Sequence, residues 1–519
     1  MGYLGVDVGG TFTDAVLVDG GRVVTAKLPT THRQEEAVLA AARAVGADDL
    51  QIERFTHGTT VATNALLERK GAETAFVTTA GFEHLLHLRR QNRAHLYRLC
   101  AAHPEPLVPI ERCYGVDERI GSEGVLEPVA LDTLQHFEAD AVAVCLLFSF
   151  RDPSHERAVA AEVRRRLPQA HVILSHEVSP EFREYERACT TVADAYLRPA
   201  VAPYLESLGG LAAREGMPEP LVMRSSGGLI SLAEAAAHPA WILVSGPAAG
   251  AVGAARIARL AGYDNAISFD MGGTSTDACM ISGGEVERST DRVVGGFPIR
   301  VPSVDVHTVG AGGGSIAFVD AGGALRVGPE SAGANPGPAC YGRGGERPTV
   351  TDANLLLERL PRRLAGGLEL DRDAAADALG ELDPEDVVAV VNSEMLRALR
   401  VVSVERGHDP RDFALVAFGG AGPLHACALA EELEMGTVLV PEHAGVLSAL
   451  GLVASDERRD FVRSYVQPLA DVTDLPEQGT ADLRYRGQGF ELSVPLGGDI
   501  AATFHRAHED RYGYSEPDR

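Results

Sequence analysis

The sequence predicts an α/β protein of two lobes, each with a mixed β-sheet flanked by helices, followed by a short C-terminal piece. The first observation behind this prediction is an internal repeat, because residues 7–24 return as residues 270–287 with ten of eighteen positions identical. Unrelated segments of this length share roughly one position, so the two lobes are expected to contain the same supersecondary unit. The second observation is an alternation of short apolar runs with helical patterns, which is typical of helices that cover a sheet.

The composition is that of a large globular protein. The chain has 519 residues, 45% hydrophobic and 23% charged, which suggests two to four domains and excludes a disordered or collagen-like chain. The formal net charge of -26 argues against nucleic acid as a partner. The longest apolar stretch, 141–150, is too short for a membrane span of about 20 residues, and no secretory leader is predicted. Seven scattered cysteines without a C-x-x-C pair fit a reducing compartment, so we expect a cytoplasmic protein without a membrane partner.

Each copy of the repeat predicts a three-stranded meander. An apolar run, 3–8 or 266–271, leads to a Gly-Gly turn, a second strand, another Gly-Gly pair and a third strand. After the first meander, strands are predicted near 54–57, 74–78 and 141–149, and helices near 61–70, 155–167 and 181–197. Residues 103–133, rich in Pro, Gly and charge, predict loops and short hairpins inserted in the first lobe.

The second lobe continues the alternation around the second copy of the repeat. Strands are predicted at 221–224, 241–244 and 414–418, and helices at 352–359, at 394–406 and in a small-residue segment that ends at Leu260. The Gly/Pro-rich residues 309–345 indicate functional loops that line a cleft. The chain is therefore divided into two lobes and a C-terminal piece, with the limits 1–200, 201–455 and 456–519.

The repeated motif D-x-G-G-T-x-T-D has the chemistry of a phosphate cradle. Its glycines let the backbone approach an anion closely, and its N–H groups and Thr hydroxyls can donate to phosphate oxygens. The candidate phosphate-binding residues are Gly9, Gly10, Thr11, Thr13, Gly272, Gly273, Thr274 and Thr276. Asp7 and Asp270 end predicted strands and are candidates for orienting a hydrated metal ion. A single copy is equally explained by an Asx-stabilised turn, but two copies favour one polyphosphate and Mg²⁺ held from both sides.

A third glycine-rich turn, Gly419-Gly420-Ala421-Gly422, follows a predicted strand and opens a helix. This geometry presents backbone amides at a helix N-terminus, so Gly419, Gly420 and Gly422 are candidate nucleotide-binding residues. The turn lacks the G-x-G-x-x-G spacing of dinucleotide sites, and the chain has no P-loop motif. A plain strand-to-helix turn is the alternative, so the nucleotide hypothesis depends on the paired cradles.

Two phosphate hairpins and a late Gly-Gly turn resemble the superfamily of acetate and sugar kinases, heat-shock chaperone ATPases and actin. Its members have two ribonuclease-H-like lobes around a nucleotide cleft. Within that superfamily the sequence resembles the A-type subunit of the hydantoinase/oxoprolinase family. The resemblance covers about residues 3–455 and rests on long strings: GVDVGGTFTD (5–14), THGTTVATNA (56–65), SFDMGGTSTD (268–277), HTVGAGGGS (307–315), NPGPACYG (335–342) and FGGAGPLH (418–425).

The resemblance implies ATP and Mg²⁺ as cofactors and the ATP-dependent opening of a cyclic amide or imide of the hydantoin, N-methylhydantoin or 5-oxoproline type. In relatives it implies ATP-dependent carboxylation of a ketone. Asp7 and Asp270 are then assigned to catalysis as well as to Mg²⁺. A separate B-type partner subunit is implied, homo-oligomerisation is left open, and residues 456–519 are expected to be a shortened form of a longer family domain.

Several polar residues are candidates for contact with the substrate. They lie after the predicted strand at 54–57 or before the loop at 310–315, and they are His57, Thr59, Thr60, Asn64, Asp305 and His307. A histidine can orient a carbonyl group or transfer a proton, so His57 and His307 are assigned as catalytic candidates. Structural roles, such as capping of the following helix by a threonine, are the alternative.

Two other functions of the same fold stay open at the level of the sequence. A small-molecule or sugar kinase would release a stable phosphorylated product. A non-enzymatic nucleotide switch of the actin or chaperone kind would respond to a protein or peptide and use slow hydrolysis to move its lobes. The products and the stimulating compound distinguish these functions from ring opening.

Overall fold

The computed structural model describes residues 2–31, 33–364, 367–517 and 519. The chain forms two compact units, Met1–Val462, called the main unit, and Arg463–Arg519, called the C-terminal unit. Among the described residues no helix combines the length and apolar character needed to cross a membrane.

The α-helices, numbered in chain order, are α1 (Gln34–Ala44), α2 (Val61–Leu67), α3 (Leu85–Leu88), α4 (Ser154–Arg166), α5 (Ser175–Val178), α6 (Glu184–Arg214), α7 (Leu232–Ala237), α8 (Ser245–Leu260), α9 (Val350–Leu356), α10 (Arg372–Leu379), α11 (Pro384–Val402), α12 (Gly422–Glu432), α13 (Leu447–Ala454) and α14 (Ile500–Tyr512).

The strands are β1 (Gly2–Val8), β2 (Phe12–Asp19), β3 (Arg22–Pro29), β4 (Ile52–Thr59), β5 (Thr74–Thr79), β6 (Cys113–Gly121), β7 (Gly124–Ala130), β8 (Ala141–Cys145), β9 (His171–Leu174), β10 (Leu221–Met223), β11 (Leu229–Ile230), β12 (Ala266–Met271), β13 (Thr276–Ser282), β14 (Glu285–Val286), β15 (Arg288–Ser289), β16 (Arg292–Val294), β17 (Phe297–Ile299), β18 (Ser303–Val304), β19 (Val306–Val309), β20 (Ser315–Val319), β21 (Leu325–Ser331), β22 (Ala414–Phe418), β23 (Val438–Leu439), β24 (Thr480–Leu483) and β25 (Leu492–Pro495).

The two copies of the repeat form equivalent sheets in the main unit. The first sheet has the order β11-β10-β4-β1-β2-β3, and the second has the order β14-β13-β12-β22-β23 with β19 also paired to β13. In each, the first strand pairs antiparallel with the second and parallel with a later strand on its other side. This is the ribonuclease-H-like strand order. The predicted α/β fold with two related mixed sheets is therefore confirmed.

Two helices rich in small residues, α8 and α13, join the two sheets. Helix α13 packs on β1, β2 and β4, helix α8 packs on β12 and β22, and the two helices make extensive contact with each other. A Cβ atom at Gly5 would lie 2.4 Å from the carbonyl oxygen of Ala449, and one at Gly451 would lie 2.0 Å from that of Ala249. Glycine at these points lets the backbones approach closely, which brings the hairpins of the two sheets near each other.

A third sheet, of order β7-β6-β5-β8-β9, is separate from the first sheet. The predicted strands near 74–78 and 141–149 therefore pair with each other and not with β4. Residues 103–133 contain the expected hairpin, β6 and β7, but β6 also pairs with β5. Strand pairing of this kind depends on long-range contacts, which hydrophobic periodicity does not encode.

Helix α6 has 31 residues and runs across the boundary predicted at residue 200. Its buried residues contact the cores of both the first and third sheets, including Leu208 in the first and Ala188 in the third. Strands β10 and β11 extend the first sheet beyond that boundary. The three-part division of the chain stays a prediction. The strand predicted at 241–244 is wrong, because Pro239–Ile242 forms a 3₁₀-helix.

The C-terminal unit is a small α/β piece. The hairpin of β24 and β25 and helix α14 enclose a cluster of aromatic and apolar side chains around Tyr485, Val494 and Phe504. The Tyr485 ring packs edge-on against Phe504 with centroids 4.9 Å apart.

Candidate functional site

The two D-x-G-G-T turns have the same local geometry. In the first copy the N–H of Gly9 donates to the carbonyl oxygen of Phe12 at 2.9 Å, and in the second the N–H of Gly272 donates to that of Ser275 at 3.0 Å. In both, the first Asp of the motif is the cross-strand partner of the last, as Asp7 is of Asp14. The sequence repeat therefore produces two hairpins with the same turn hydrogen bond and the same register.

The charge of Asp7 acts on Asp270, which indicates that the two hairpins face a common region. Burial raises the pKa of Asp7 to about 7, with a further rise from Asp14 and a decrease from Lys27. Burial raises the pKa of Asp270 to about 8, followed in size by the charges of Asp277 and Asp7. Like charges held close together in a partly desolvated place resist ionisation. A bound cation would therefore stabilise the ionised form of both carboxylates.

Glycines from three further segments leave space around these carboxylates. A Cβ atom at Gly58, on β4, would lie 2.4 Å from Oδ1 of Asp7, and one at Gly246, at the start of α8, would lie 3.6 Å from the same atom. A Cβ atom at Gly419 would lie 2.2 Å from Oδ1 of Asp270. Only a residue without a side chain is compatible with the closest of these approaches.

The carboxylates fit Mg²⁺. Oδ1 of Asp7 is a buried oxygen without a hydrogen-bond partner, and such an atom requires a cation or water. The described residues contain no group of three or more His, Cys, Asp or Glu side chains arranged to hold a metal. Mg²⁺ is commonly held by one or two carboxylates together with water and substrate phosphates, so Asp7 and Asp270 could hold it without a protein cage.

The glycine-rich loop at 310–315 packs directly on the second turn. The N–H of Gly313 donates to the carbonyl oxygen of Gly272 at 3.0 Å, and the N–H of Gly314 donates to that of Gly273 at 2.7 Å. A Cβ atom at Gly312 would lie 2.7 Å from the backbone nitrogen of Thr274. The loop thus supports the turn from one side and leaves Gly273 and Thr274 exposed.

The third glycine turn lies beside the second hairpin, as the nucleotide hypothesis requires. The N–H of Ala421 donates to the carbonyl oxygen of Met271 at 2.9 Å. Gly419 has a φ of +82° and ends β22, while Gly420 is exposed. Gly422 is buried and begins α12. The turn and the start of this helix border the carboxylate of Asp270.

The four candidate threonines have two different positions. Thr274 is exposed and Thr11 is half-buried, so both are accessible to a ligand. Thr13 is buried and its hydroxyl hydrogen-bonds with that of Thr30, which donates to the carbonyl oxygen of Gly9. Thr276 is buried and donates to Ala311 at 2.5 Å. The hydroxyls of Thr13 and Thr276 therefore hold the turns in place through hydrogen bonds within the protein.

His57 lies in the interior beneath the first hairpin. Its Nδ1 is 3.0 Å from the carbonyl oxygen of Val6, and its Nε2 is 2.7 Å from the hydroxyl of Tyr204. Burial lowers the pKa of His57 to about 4, so the ring is neutral at pH 7. Both ring nitrogens are engaged in the protein. This placement corresponds to the structural alternative, in which His57 holds β4 against β1 and α6.

The remaining substrate candidates lie in two places, at the end of β4 and around β19. The backbone N–H of Thr59 donates to Ser245 Oγ at 3.2 Å, and the hydroxyl of Thr60 donates to the carbonyl oxygen of Val8, so both groups are engaged within the protein. His307 lies on β19 beside Arg406 and Asp305, and burial lowers its pKa, with Arg406 adding to the decrease. Asp305 forms an ion pair of 2.6 Å with Arg406. The β19 cluster is thus built around ion pairs of its own.

Lys27 is a residue of the site that the motif analysis missed. Its Nζ donates to both carboxylate oxygens of Asp14, at 2.6 and 2.7 Å, and to the carbonyl oxygen of Gly445 at 3.0 Å. Its positive charge lowers the pKa of both Asp7 and Asp270. The rarity of lysine in this sequence was a signal that could have drawn attention to Lys27. Of the 47 Lys and Arg residues, only Lys27 and Lys70 are lysines.

The raised pKa values predict that Mg²⁺ binding strengthens with pH. Protons compete with the cation for Asp7 and Asp270, whose pKa values are about 7 and about 8. We expect the Mg²⁺ affinity of the ADP-bound chain to increase about tenfold or more from pH 6 to pH 8. Calorimetric titration of Mg²⁺ at several pH values measures this, and a flat profile would contradict the assignment of both carboxylates.

The fold and the turns together define a class of protein, in which two ribonuclease-H-like sheets each present an Asp-x-Gly-Gly-Thr turn. The chain belongs to the hydantoinase/oxoprolinase family, since the model for the Hydantoinase/oxoprolinase N-terminal region matches residues 3–167 and the Hydantoinase/oxoprolinase model matches residues 187–461. The family resemblance drawn from the motifs is thereby confirmed.

Three relatives are informative. The caprolactamase subunit alpha of Pseudomonas jessenii is 37% identical, over 99% of this chain and 84% of that protein. The acetophenone carboxylase gamma subunit of Aromatoleum aromaticum is 33% identical, over 95% and 76%. The 5-oxoprolinase 1 of Arabidopsis thaliana is 33% identical, over 90% of this chain and 44% of that protein. The crystal structure of the Pseudomonas jessenii ATP-dependent caprolactamase matches with a TM-score of 0.83 at 35% identity, covering 99% of this chain and 85% of that chain.

Proposed function

We propose that this chain is the ATP-using subunit of an enzyme that opens a cyclic amide or imide of the lactam, hydantoin or 5-oxoproline type. The observation that carries the proposal is the presence of two phosphate-type turns of the same hydrogen-bonding pattern, beside Asp7 and Asp270, with the charge of Asp7 acting on Asp270. The names of the caprolactamase and 5-oxoprolinase relatives support ring opening as the reaction class.

The chemistry explains why such a reaction needs ATP. The carbonyl carbon of an unstrained lactam is a poor electrophile because the ring nitrogen donates electrons to it. Transfer of the γ-phosphoryl group to the carbonyl oxygen forms an O–P bond, breaks the bond to the β-phosphate and releases ADP. Water then attacks the activated carbon, and the bond from that carbon to the ring nitrogen breaks as the nitrogen takes a proton, which leaves an acyl phosphate. A second water hydrolyses the acyl phosphate to the carboxylate and inorganic phosphate.

The residues of the site have two roles, to hold Mg²⁺ and to bind the phosphate groups. Asp7 and Asp270 would hold Mg²⁺, which neutralises charge on the transferring phosphoryl group when it is bound. The exposed turn residues Gly10, Gly273 and Thr274 would donate to phosphate oxygens. Gly420 and the start of α12 border the place for the nucleoside part of ATP.

The test is phosphate release from ATP with Mg²⁺ by the chain together with its B-type partner subunit, across a panel of caprolactam, other lactams, hydantoins, 5-oxoproline and ketones. We expect one cyclic amide to stimulate release and to yield the ring-opened amino acid in equal amount. Release without a ring-opened product, together with a stable phosphorylated compound, would favour a kinase instead. Stimulation by a peptide alone would favour a nucleotide switch.

A ketone carboxylase is the second candidate, favoured by the acetophenone carboxylase gamma subunit among the relatives. In that reaction the phosphoryl group would activate the enol oxygen of the ketone and bicarbonate would supply the new carboxyl group. Stimulation by an aryl or alkyl ketone only when bicarbonate is present would identify this activity. Stimulation by a lactam without bicarbonate would exclude it.

A partner subunit belongs to the proposal. Two relatives of this chain are named as subunits, an alpha and a gamma subunit. We expect the ring-opening reaction to require a hydantoinase B-type subunit that completes the site for the lactam after activation. The chain alone is then expected to bind ATP and to release phosphate slowly.

Lys27 provides a prediction for the phosphate side of the site. Lys27→Met removes the cation beside Asp7, Asp14 and Asp270, and we expect turnover to fall about 10²-fold, the size found for a lost charge-stabilising donor. Lys70→Met is the control, because Lys70 is exposed and pairs with Glu68. Acetylation followed by mass spectrometry gives a second readout, in which ATP should protect Lys27 and leave Lys70 reactive. Equal reactivity of both lysines with ATP bound would contradict the role.

A further inference from the structure

One segment of the main unit extends into solvent with large apolar side chains at its tip. Residues 91–102 are all exposed, and this segment is called the arm. Leu96, Tyr97 and Leu99 are 70%, 90% and 89% exposed. Several large apolar side chains grouped in one exposed segment indicate a surface that binds another molecule.

The base of the arm is firmly held, which distinguishes the arm from a loose linker. Nε2 of His103 lies 2.9 Å from the carbonyl oxygen of Asn92 and closes the arm at its two ends. Arg90 pairs with Glu186 on α6 through two hydrogen bonds. Arg89 and Gln91 both have a φ of +55°, a conformation that is costly for residues other than glycine and that functional segments often contain. The fold therefore presents the arm as a closed loop.

The charge of the arm is opposite to that of the protein. Between Glu83 and Glu105 the sequence has four arginines and no Asp or Glu, while the whole chain has a formal charge of -26. Arg93 and Arg98 are exposed on the arm beside the apolar residues. Tyrosine and arginine are the residues most often central to protein interfaces, so the arm complements an apolar recess bordered by carboxylates.

The arm is connected to elements that approach the carboxylate site. Arg69, just after α2, donates to the carbonyl oxygen of Glu105 at 2.7 Å, and its guanidinium lies 5.3 Å from the ring centroid of Phe297. Helix α2 follows β4, which carries Gly58 beside Asp7. The segment that follows the arm is thus linked through Arg69 to the helix that leads from β4.

We propose that the arm is the docking element for the partner subunit, a different protein that receives Tyr97 and Leu99 in an apolar recess bordered by acidic side chains. A second copy of this chain is a poorer occupant, because two molecules of formal charge -26 repel each other. The inference rests on the proposed function in one respect, namely that the partner is the B-type subunit.

Thiol labelling of the unmodified chain tests the proposal. Of the seven cysteines, Cys100 on the arm and Cys427 on α12 are exposed, and the other five are buried. With a saturating amount of the purified B-type subunit, we expect maleimide labelling of Cys100 to slow at least tenfold and that of Cys427 to stay unchanged. Unchanged labelling of Cys100 in the complex would overturn the proposal.

A pair of variants tests the same surface by affinity. We expect the double variant Tyr97→Ser, Leu99→Ser to weaken binding of the B-type subunit at least 30-fold, whereas Leu260→Ser, which changes another exposed apolar residue (68%), leaves it unchanged. Both variants should keep the thermal shift caused by MgADP. Equal binding by both variants, absence of binding by the unmodified chain, or protection of Cys100 by self-association would overturn the proposal. A complex that docks through the arm but opens no ring would instead contradict the proposed function.

Discussion

Asp7→Asn and Asp270→Asn are each expected to reduce substrate-stimulated phosphate release by at least about 10³-fold while the fold is retained. Both carboxylates face one shared site, and an amide neither neutralises nor binds a divalent cation as a carboxylate does. Phosphate release with saturating ATP and Mg²⁺ measures the effect. Asp386→Asn, at an exposed position in the first turn of α11, is the control, and normal turnover in both site variants would show that the carboxylates have no part in the reaction.

The same variants are expected to be more stable than the unmodified protein at pH 8 without metal or nucleotide. An unfolded Asp has a pKa of about 3.9, while the folded values are raised to about 7 for Asp7 and about 8 for Asp270. Between these values the folded state binds more protons than the unfolded chain, so the stability contributed by each neutral carboxyl is lost as the pH rises. Asn avoids this loss.

We expect each variant to gain about 2 kcal/mol at pH 8, after allowance for partial solvent exposure. The gain should fall to less than about 0.5 kcal/mol near pH 4, where the folded carboxyl is neutral and the unfolded one is about half protonated. Denaturant unfolding at the two pH values measures the difference. A gain of the same size at both pH values would mean that packing, and not charge burial, causes it.

Gly419→Ala is expected to abolish turnover and to destabilise the main unit by about 3 kcal/mol. The new Cβ would lie 2.2 Å from Oδ1 of Asp270 and 2.5 Å from the carbonyl oxygen of Met271, so the carboxylate or the turn must move. The φ of +82° adds strain for any residue with a side chain. Phosphate release and denaturant unfolding measure the two effects.

Gly420→Ala is the matched control for this substitution. Its Cβ would meet no atom within 4 Å, and its backbone does not have a positive φ in the left-handed range. We expect its stability to change by less than about 1 kcal/mol. If Gly419→Ala and Gly420→Ala behave alike, close packing against Asp270 is not what the turn requires.

The repeat carried most of what could be predicted. Its two copies indicated two related sheets, and the pairing of Asp7 with Asp14 and of Asp270 with Asp277 follows from the hairpins. Such pairing is local, because a short Gly-Gly turn sets the register of the strands that it joins. In both turns the glycine, Gly9 or Gly272, donates to the carbonyl oxygen three residues later. The equivalence of the two turns is therefore determined by a few neighbouring residues.

Other parts of the site depend on residues far apart in the chain. Lys27 and Gly445 are joined by a hydrogen bond across more than 400 positions, and His57 meets Tyr204 on α6. Neither contact leaves a periodic or motif signal. The separate third sheet escaped prediction for the same reason, because the periodicity of β5 and β8 does not state which strands they join.

The sequence by itself determined the fold class, the family and the two turns with their carboxylates, because these follow from local backbone geometry and short motifs. Only the tertiary structure decided that the charge of Asp7 acts on Asp270, that Lys27 pairs with Asp14, that His57 is buried and that the arm is exposed. These properties depend on the desolvation and proximity of groups that distant segments bring together, and such effects arise only when the chain is packed.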